Sequence, residues 1–316
     1  MKPLLIASTK KALMLSLLCA AWVCLGCQPE DASRKIDLSV RKTISTSREL
    51  DSLTYACLPQ YSHRTSFSRH HQLVEYIAEK TGLPIRQVFP DTFEAHAQMV
   101  GEEKIDISFS NPLVYTRIAD QYKARAFAQI VEKSGRPAFR GQIICRADNK
   151  AIETLQDCRD KRWMAVDPRS AAGYLFALDH FLRHGISKND FRRIAFAPGP
   201  GGKQEKVVQA VYLGEYDIGS IREGTLELVR DRVDLGAIRI LDTTQRFPSW
   251  VYAARKGLDP DVVETIKQAL LGLNPDNPAH QKILELAHFQ GIIPAKDQNF
   301  DPIRRLTRQL KVNAGE

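Results

Sequence analysis

The chain has 316 residues, of which 43% are hydrophobic and 26% charged, enough for one large or two medium globular domains. Its formal charge is +8, part of it from Lys2, Lys10 and Lys11 near the N-terminus. Acidic and basic residues are interspersed, which argues against a nucleic-acid binder and suits a protein that handles small anions.

In chain order the first feature is an address. Lys10 and Lys11 precede Ala12–Leu25, roughly 14 mainly apolar residues, too short to span a bilayer and of the length of a signal-peptide core. Leu25-Gly26-Cys27 then resembles a bacterial lipobox, with Cys24 where an aliphatic residue is usual, so Cys27 is expected to become the lipidated first residue. Ordinary cleavage near Ala20–Ala21 is the alternative, and either route exports the protein. Residues 1–27 are therefore read as the signal peptide. Residues 28–50, polar and aperiodic, are read as a tether from the periplasmic face of a bacterial membrane. Of the 6 cysteines, Cys19 and Cys24 leave with the signal. Cys57, Cys145 and Cys158 remain. If a disulfide forms, Cys145 and Cys158 are the pair that fits, because a strand and the following helix can lie close; the other reading is three buried thiols that act as small hydrophobes.

From Leu53 the pattern alternates between strand and helix. LTYACLP, PIRQVF, KIDISFS, ARAFAQIV, GQIICRA, RWMAV and YDIGSI read as strands. RHHQLVEYIAEKTG, TFEAHAQMVG, NPLVYTRIADQY, IETLQDCRD, FALDHFLRHG and EKVVQAVYLG read as helices, with Gly82, Gly101 and Gly185 as stops. VVETIKQALLGL and HQKILELAHFQG form a helical end. This rhythm predicts an α/β fold of mixed sheets flanked by helices, which bind ligands beyond the carboxyl ends of their strands.

Several strand exits carry hydroxyl, amide or cationic side chains. Gln60 and Tyr61 follow the first strand; Ser110 and Asn111 open the helix that bears Tyr115; PGPGGKQ carries Lys203 and Gln204; Arg222 follows YDIGSI. The stretch DPRSAAGYL leaves the strand RWMAV and enters a helix. Its small residues Ser170, Ala171, Ala172 and Gly173 allow an anion to approach the unpaired N–H groups of that helix start, with Arg169 as a possible clamp. The other reading is a plain helix cap with close packing, and the sequence leaves both open. His63, His70 and His71 point in different directions on a helix and no carboxylate or thiol set completes a metal site, so none is expected. Trp163 and Trp250 are expected in the core.

The order LTYACLP, IDISFSNPLVY, GQIICRADN with RWMAVDPRSAAGYL, VVQAVYLGEYDIG and GIIPAKDQNFDPIRRL resembles the PhnD-like periplasmic phosphonate/phosphite/phosphate-binding proteins of ABC importers. The resemblance covers most of Leu53–Leu310. It implies a two-lobed type II periplasmic binding fold, with lobe 1 at 51–140 and 248–316, lobe 2 at 141–247, and two hinge strands between them. It also implies an exported binding protein, not an enzyme, with no cofactor, that closes on a small oxyanion, acts as a monomer and serves an ABC permease. A sensor that reports an oxyanion to a membrane histidine kinase is the alternative. The family's serine/threonine-rich turn falls on Asp167–Tyr174, its ligand tyrosine on Tyr115, and its Ser-His pair on Lys203 and Gln204. Lys-Gln and the absent hydroxyls of Ala171 and Ala172 point toward a ligand with fewer acceptors, or an oxyanion such as phosphite or arsenite.

If Cys27 carries lipid, Cys27→Ser should move the protein from the membrane fraction to the soluble fraction on cell fractionation. Unchanged membrane association would contradict the lipobox reading.

Overall fold

The computed structural model describes residues 52–310. The leader, Cys27 and the tether lie outside that range. In chain order, strands β1 (Leu53–Cys57), β2 (Ile85–Val88), β3 (Ile107–Ser110) and β4 (Arg125–Glu132) alternate with helices α1 (His63–Thr81), α2 (Phe93–Gly101) and α3 (Pro112–Tyr122). The short β5 (Ala138–Phe139) leads to β6 (Gly141–Arg146), β7 (Arg162–Ala165), α4 (Ala177–Arg183), β8 (Arg193–Phe196) and α5 (Lys203–Tyr212). Then come β9 (Ile218–Arg222), α6 (Leu226–Val229), β10 (Ile238–Thr243), β11 (Phe247–Pro248) and β12 (Val251–Ala254). The chain closes with α7 (Pro260–Leu271), α8 (Pro278–Ala287), β13 (Phe289–Pro294) and α9 (Asp301–Gln309).

Two mixed sheets result. One has 6 strands in the order β13-β4-β12-β3-β1-β2, the other 5 in the order β10-β6-β9-β7-β8. Strands joined through helices pair in parallel, β1 with β2 and β3, and β7 with β8 and β9. Between the sheets, β5 and β11 form an antiparallel ribbon with Phe139 opposite Phe247. The chain thus crosses between the sheets twice, as a two-lobed binding fold requires.

Local chemistry sets the helix starts that face this boundary. The Ser62 hydroxyl accepts the Thr65 N–H and starts α1. Asn111 Oδ1 accepts the Leu113 and Val114 N–H groups, with Pro112 in the first turn, where its missing N–H costs nothing. Ser170 Oγ accepts the Gly173 N–H, and a wide π-type turn over Ala171–Phe176 leads into α4.

Some expectations need correction. Helix α8 ends at Ala287 because His288 adopts a left-handed backbone (φ +64°), and FQGIIP becomes the edge strand β13 on β4. IETLQDCRD forms only a 3-10 turn over Leu155–Cys158. The Cys145–Cys158 bridge is not formed: both are free thiols in the apolar core of lobe 2, beside Trp163 and Phe181, filling space as small hydrophobes. Burial raises the Cys145 thiol and pushes Cys158 up to about 12. Both groups should therefore stay protonated and resist iodoacetamide at pH 8 in the folded protein, then react together on denaturation without reductant. A mass that shows them linked would contradict this.

Candidate functional site

Loops at the carboxyl ends of β1, β3, β7 and β9 meet where the lobes touch. Lobe 1 supplies the start of α1 and of α3; lobe 2 supplies the DPRSAAGYL turn, the glycine loop before α5, and Arg222. Asn111 Nδ2 donates to the Arg169 carbonyl at 3.3 Å, and Arg169 pairs with Glu94 of α2 at 2.7 Å. Arg117 grips the same Glu94 through both its terminal nitrogens. Arg117, opposed by burial and aided by Arg169, holds the Glu94 carboxyl below the usual carboxylate range. Arg222, at the end of β9, forms a buried two-pronged pair with Glu132 at the end of β4, at 2.6 and 2.7 Å. Ser249, between β11 and β12, also donates to Glu132. Gly201 (φ +50°) brings the loop against lobe 1, where an added Cβ would lie 3.1 Å from the Tyr61 carbonyl.

Within this boundary lies a cavity of about 10 Å³, room for about one water. Its walls include Tyr61, Ser66, Arg69, Arg222 and Trp250. The Tyr61 and Ser66 hydroxyls, Arg69 Nε, Arg222 Nε and Trp250 Nε1 are all buried there with no hydrogen-bond partner among the described residues. Each of these groups can donate a proton, and two belong to cations. Native proteins rarely leave such groups unpaired, because each buried unmade bond costs about 1–3 kcal/mol. A set of donors without an acceptor is the complement of an oxyanion.

Arg69 is the cation best placed for that role. Its Nη2 donates to the Ala287 carbonyl at 3.0 Å and its guanidinium lies 4.9 Å from the Tyr61 ring centroid, while its Nε stays unpaired. A wider hollow of about 350 Å³ shares Tyr61, Arg69 and Arg222 with the small cavity. His288, on its wall, is driven down to about 4 by burial first and then by Arg69, Lys133 and Arg222; the same wall also carries Glu132, Glu223 and Glu227. His70, in the small cavity, is lowered to about 3 by burial and then by Arg69, so both histidines stay neutral and leave the field to the arginines. A hollow of about 560 Å³ between β11 and α9 carries Arg183, Arg246 and Arg305 on its wall, but the buried atom it leaves unpaired among the described residues is an acceptor, Gln129 Oε1.

The structure sorts the residues expected from the sequence. Gln60, Tyr61 and Arg222 line the small cavity. Asn111, Arg169, Ser170, Ala171 and Ala172 meet at the lobe boundary, but Ala171 and Ala172 pack with Phe139 and Phe247 in one apolar cluster. The Ser170 oxygen is engaged as the cap of its own helix. Ser110 Oγ is buried and unpaired. Lys203 Nζ donates to Asp167 at 2.5 Å in a buried pair within lobe 2. Gln204 Oε1 instead accepts the Arg222 N–H at 2.9 Å and so positions that strand end. Tyr115 is turned away: its hydroxyl donates to Asp297 at 2.6 Å and accepts from the Ala126 N–H, both in lobe 1, and its ring packs on Phe300.

Sequence reasoning missed Ser66, Arg69 and Trp250. Ser66 and Arg69 are one helical turn apart on α1, a spacing visible in QYSHRTSFSRHH. Trp250 comes from the second crossover, and its sequence carries no such signal.

Comparison with known proteins adds the family. The model of the ABC transporter, phosphonate, periplasmic substrate-binding protein family matches residues 55–300. The phosphate-import protein PhnD of Mycolicibacterium smegmatis is 22% identical over 278 residues, covering 81% of this chain and 85% of that protein. A binding-protein component of an ABC phosphonate transporter from Pseudomonas aeruginosa superposes with a TM-score of 0.74 at 18% identity, covering 84% of this chain and 90% of that one. PhnD1 from Prochlorococcus marinus in complex with methylphosphonate gives 0.75 at 14%, covering 83% and 99%. Fold, crossover ribbon and family match agree: the chain belongs to the periplasmic substrate-binding proteins of ABC phosphonate transporters, a family of solute binders and not of enzymes.

Proposed function

We propose that the protein is an exported, Cys27-anchored receptor that captures a phosphonate or a closely related phosphorus oxyanion between its lobes and delivers it to an ABC permease. The observation that carries this reading is the set of unpaired donors from Tyr61, Ser66, Arg69, Arg222 and Trp250 around one cavity. A tetrahedral oxyanion is larger than the one water this cavity holds, so the lobes must part to admit it, and its several acceptors then match that donor set. The ligand enters through the wider hollow that shares Arg69 and Arg222, and closure of the lobes strips it of water. The relatives named for phosphate import and for methylphosphonate binding support the same ligand class.

The alternative of an oxyanion sensor finds one observation in its favour, since Cys57 lines the cavity. Burial pushes that thiol up to about 12, and a single protonated thiol is a poor ligand for a thiophilic oxyanion such as arsenite. The importer reading is therefore preferred.

Arginine at the site implies a definite mutant pattern. Losing one charge-assisted hydrogen bond costs about 1.5–3 kcal/mol, roughly ten- to a hundredfold in affinity. Arg69→Met should weaken methylphosphonate or phosphate binding by about that factor in titration calorimetry. Ser170→Ala should cost about 1 kcal/mol of stability as a lost helix cap and leave affinity near wild type. If Arg69→Met binds like wild type and Ser170→Ala loses binding, the anion sits at the DPRSAAGYL turn instead.

A further inference from the structure

Away from the cleft, in lobe 2, three side chains converge whose chemistry the solute site does not use. His180 lies on α4 and His184 caps its C-terminal end, so the two project on the same face one turn apart, with ring centroids 4.5 Å apart. Asp242 comes from β10, the edge strand beside β6. His180 Nε2 lies 2.9 Å from Asp242 Oδ2, and one ligand atom from each of His180, His184 and Asp242 falls within 4.8 Å of the others.

From this geometry we infer a site for a divalent transition metal of the zinc class. Two imidazoles and one carboxylate form a ligand set used where zinc keeps an open position for water. The surroundings are arranged as such ligands require. His184 Nδ1 lies 2.8 Å from the His180 carbonyl, so this nitrogen carries the proton and Nε2 keeps a free lone pair for a metal. Asp242 Oδ1 accepts the Thr243 N–H at 2.7 Å, which fixes the carboxylate with Oδ2 toward His180.

A bulge in β10 makes the third ligand available. The pairing with β6 slips between Ile240 and Asp242. In a regular strand Leu241 and Asp242 would face opposite sides of the sheet. Here Leu241 packs on the core cluster that contains Leu178 and Phe181 of α4, while Asp242 meets His180 of the same helix. Bulges often serve to redirect a side chain in this way. His184 is exposed and the other two are half-buried, so a metal enters from solvent and water completes its coordination. The metal would tie α4 to the strand that runs into the second crossover, where Thr244 exchanges hydrogen bonds with Gly141.

Cobalt(II) tests this directly, because it replaces zinc and reports low-coordinate N/O ligation by visible absorption. Titration of the untagged full chain should show one saturable equivalent, displaced by zinc. His184→Ala and Asp242→Asn should each weaken it about tenfold or more, the usual cost of disturbing a metal's ligand shell. His71→Ala, which removes a histidine paired with Glu75 on α1, should leave it unchanged. Because His184 is exposed, its removal should not unfold the chain, which circular dichroism checks. Equal cobalt binding by wild type and His184→Ala, or no saturable binding at all, would overturn the assignment.

Discussion

Arg69 brings a buried Nε to the lobe boundary with no acceptor for it among the described residues, and the proposed arrangement of the cleft turns on that deficit. Three neighbouring cations have carboxylate partners: Arg222 pairs with Glu132, Lys203 with Asp167, and Arg169 shares Glu94 with Arg117. Two of these pairs cross the boundary and hold the lobes together. A buried ion pair adds little net stability, because desolvation offsets most of its attraction, but it is costly to break by removing one partner. Such pairs therefore specify which surfaces meet. Arg69 has no carboxylate partner among the described residues, and hydroxyl and indole groups beside it also lack partners there. Under the proposed function, an anion would supply both the charge and the acceptors.

The small residues of DPRSAAGYL take on a packing role in the same frame. Ala171 and Ala172 lie in the apolar cluster with Phe139 and Phe247, and Phe176 stacks on Phe247 with ring centroids 4.2 Å apart. Gly141, the first residue of β6, sits so close that a Cβ there would lie 2.6 Å from the Ala172 carbonyl. The helix start therefore leans on the crossover ribbon. Where the family's turn carries hydroxyls, this chain has methyl groups that close the interface, and the donors come chiefly from α1, Trp250 and Arg222.

Much of the fold was legible because it rests on local pattern: alternating strands and helices, helix starts at Asn111 and Ser170, and stops at glycines, although the first helix begins at His63, capped by Ser62, and not at Arg69. The misread parts depend on distant partners. HFQG continues an amphipathic helix on paper, yet His288 turns left-handed and Phe289–Pro294 completes the sheet on β4, a pairing that no window of the sequence contains. Tyr115 was legible as a family position, but Asp297, 182 residues away, takes its hydroxyl. Cys145 and Cys158 were close enough to suggest a bond, and the core around Trp163 uses them as apolar filler. Gln60, Tyr61 and Arg222, named from the sequence because they sit at strand exits, line the small cavity. Ser66 and Arg69 lie one turn apart on a helix, and Trp250 lies in the core as expected, with its indole N–H unpaired among the described residues beside the cavity.

The central claim is that Arg69, Ser66 and Trp250, with Tyr61 and Arg222, hold the anion. A crystal structure of the protein with methylphosphonate tests it most directly. The account predicts phosphonate oxygens at hydrogen-bond distance, about 2.7–3.2 Å, from Arg69 Nε, Ser66 Oγ and Trp250 Nε1. A phosphonate seated on the backbone N–H groups of Ala171–Gly173, with Arg69 still unpaired, would contradict it.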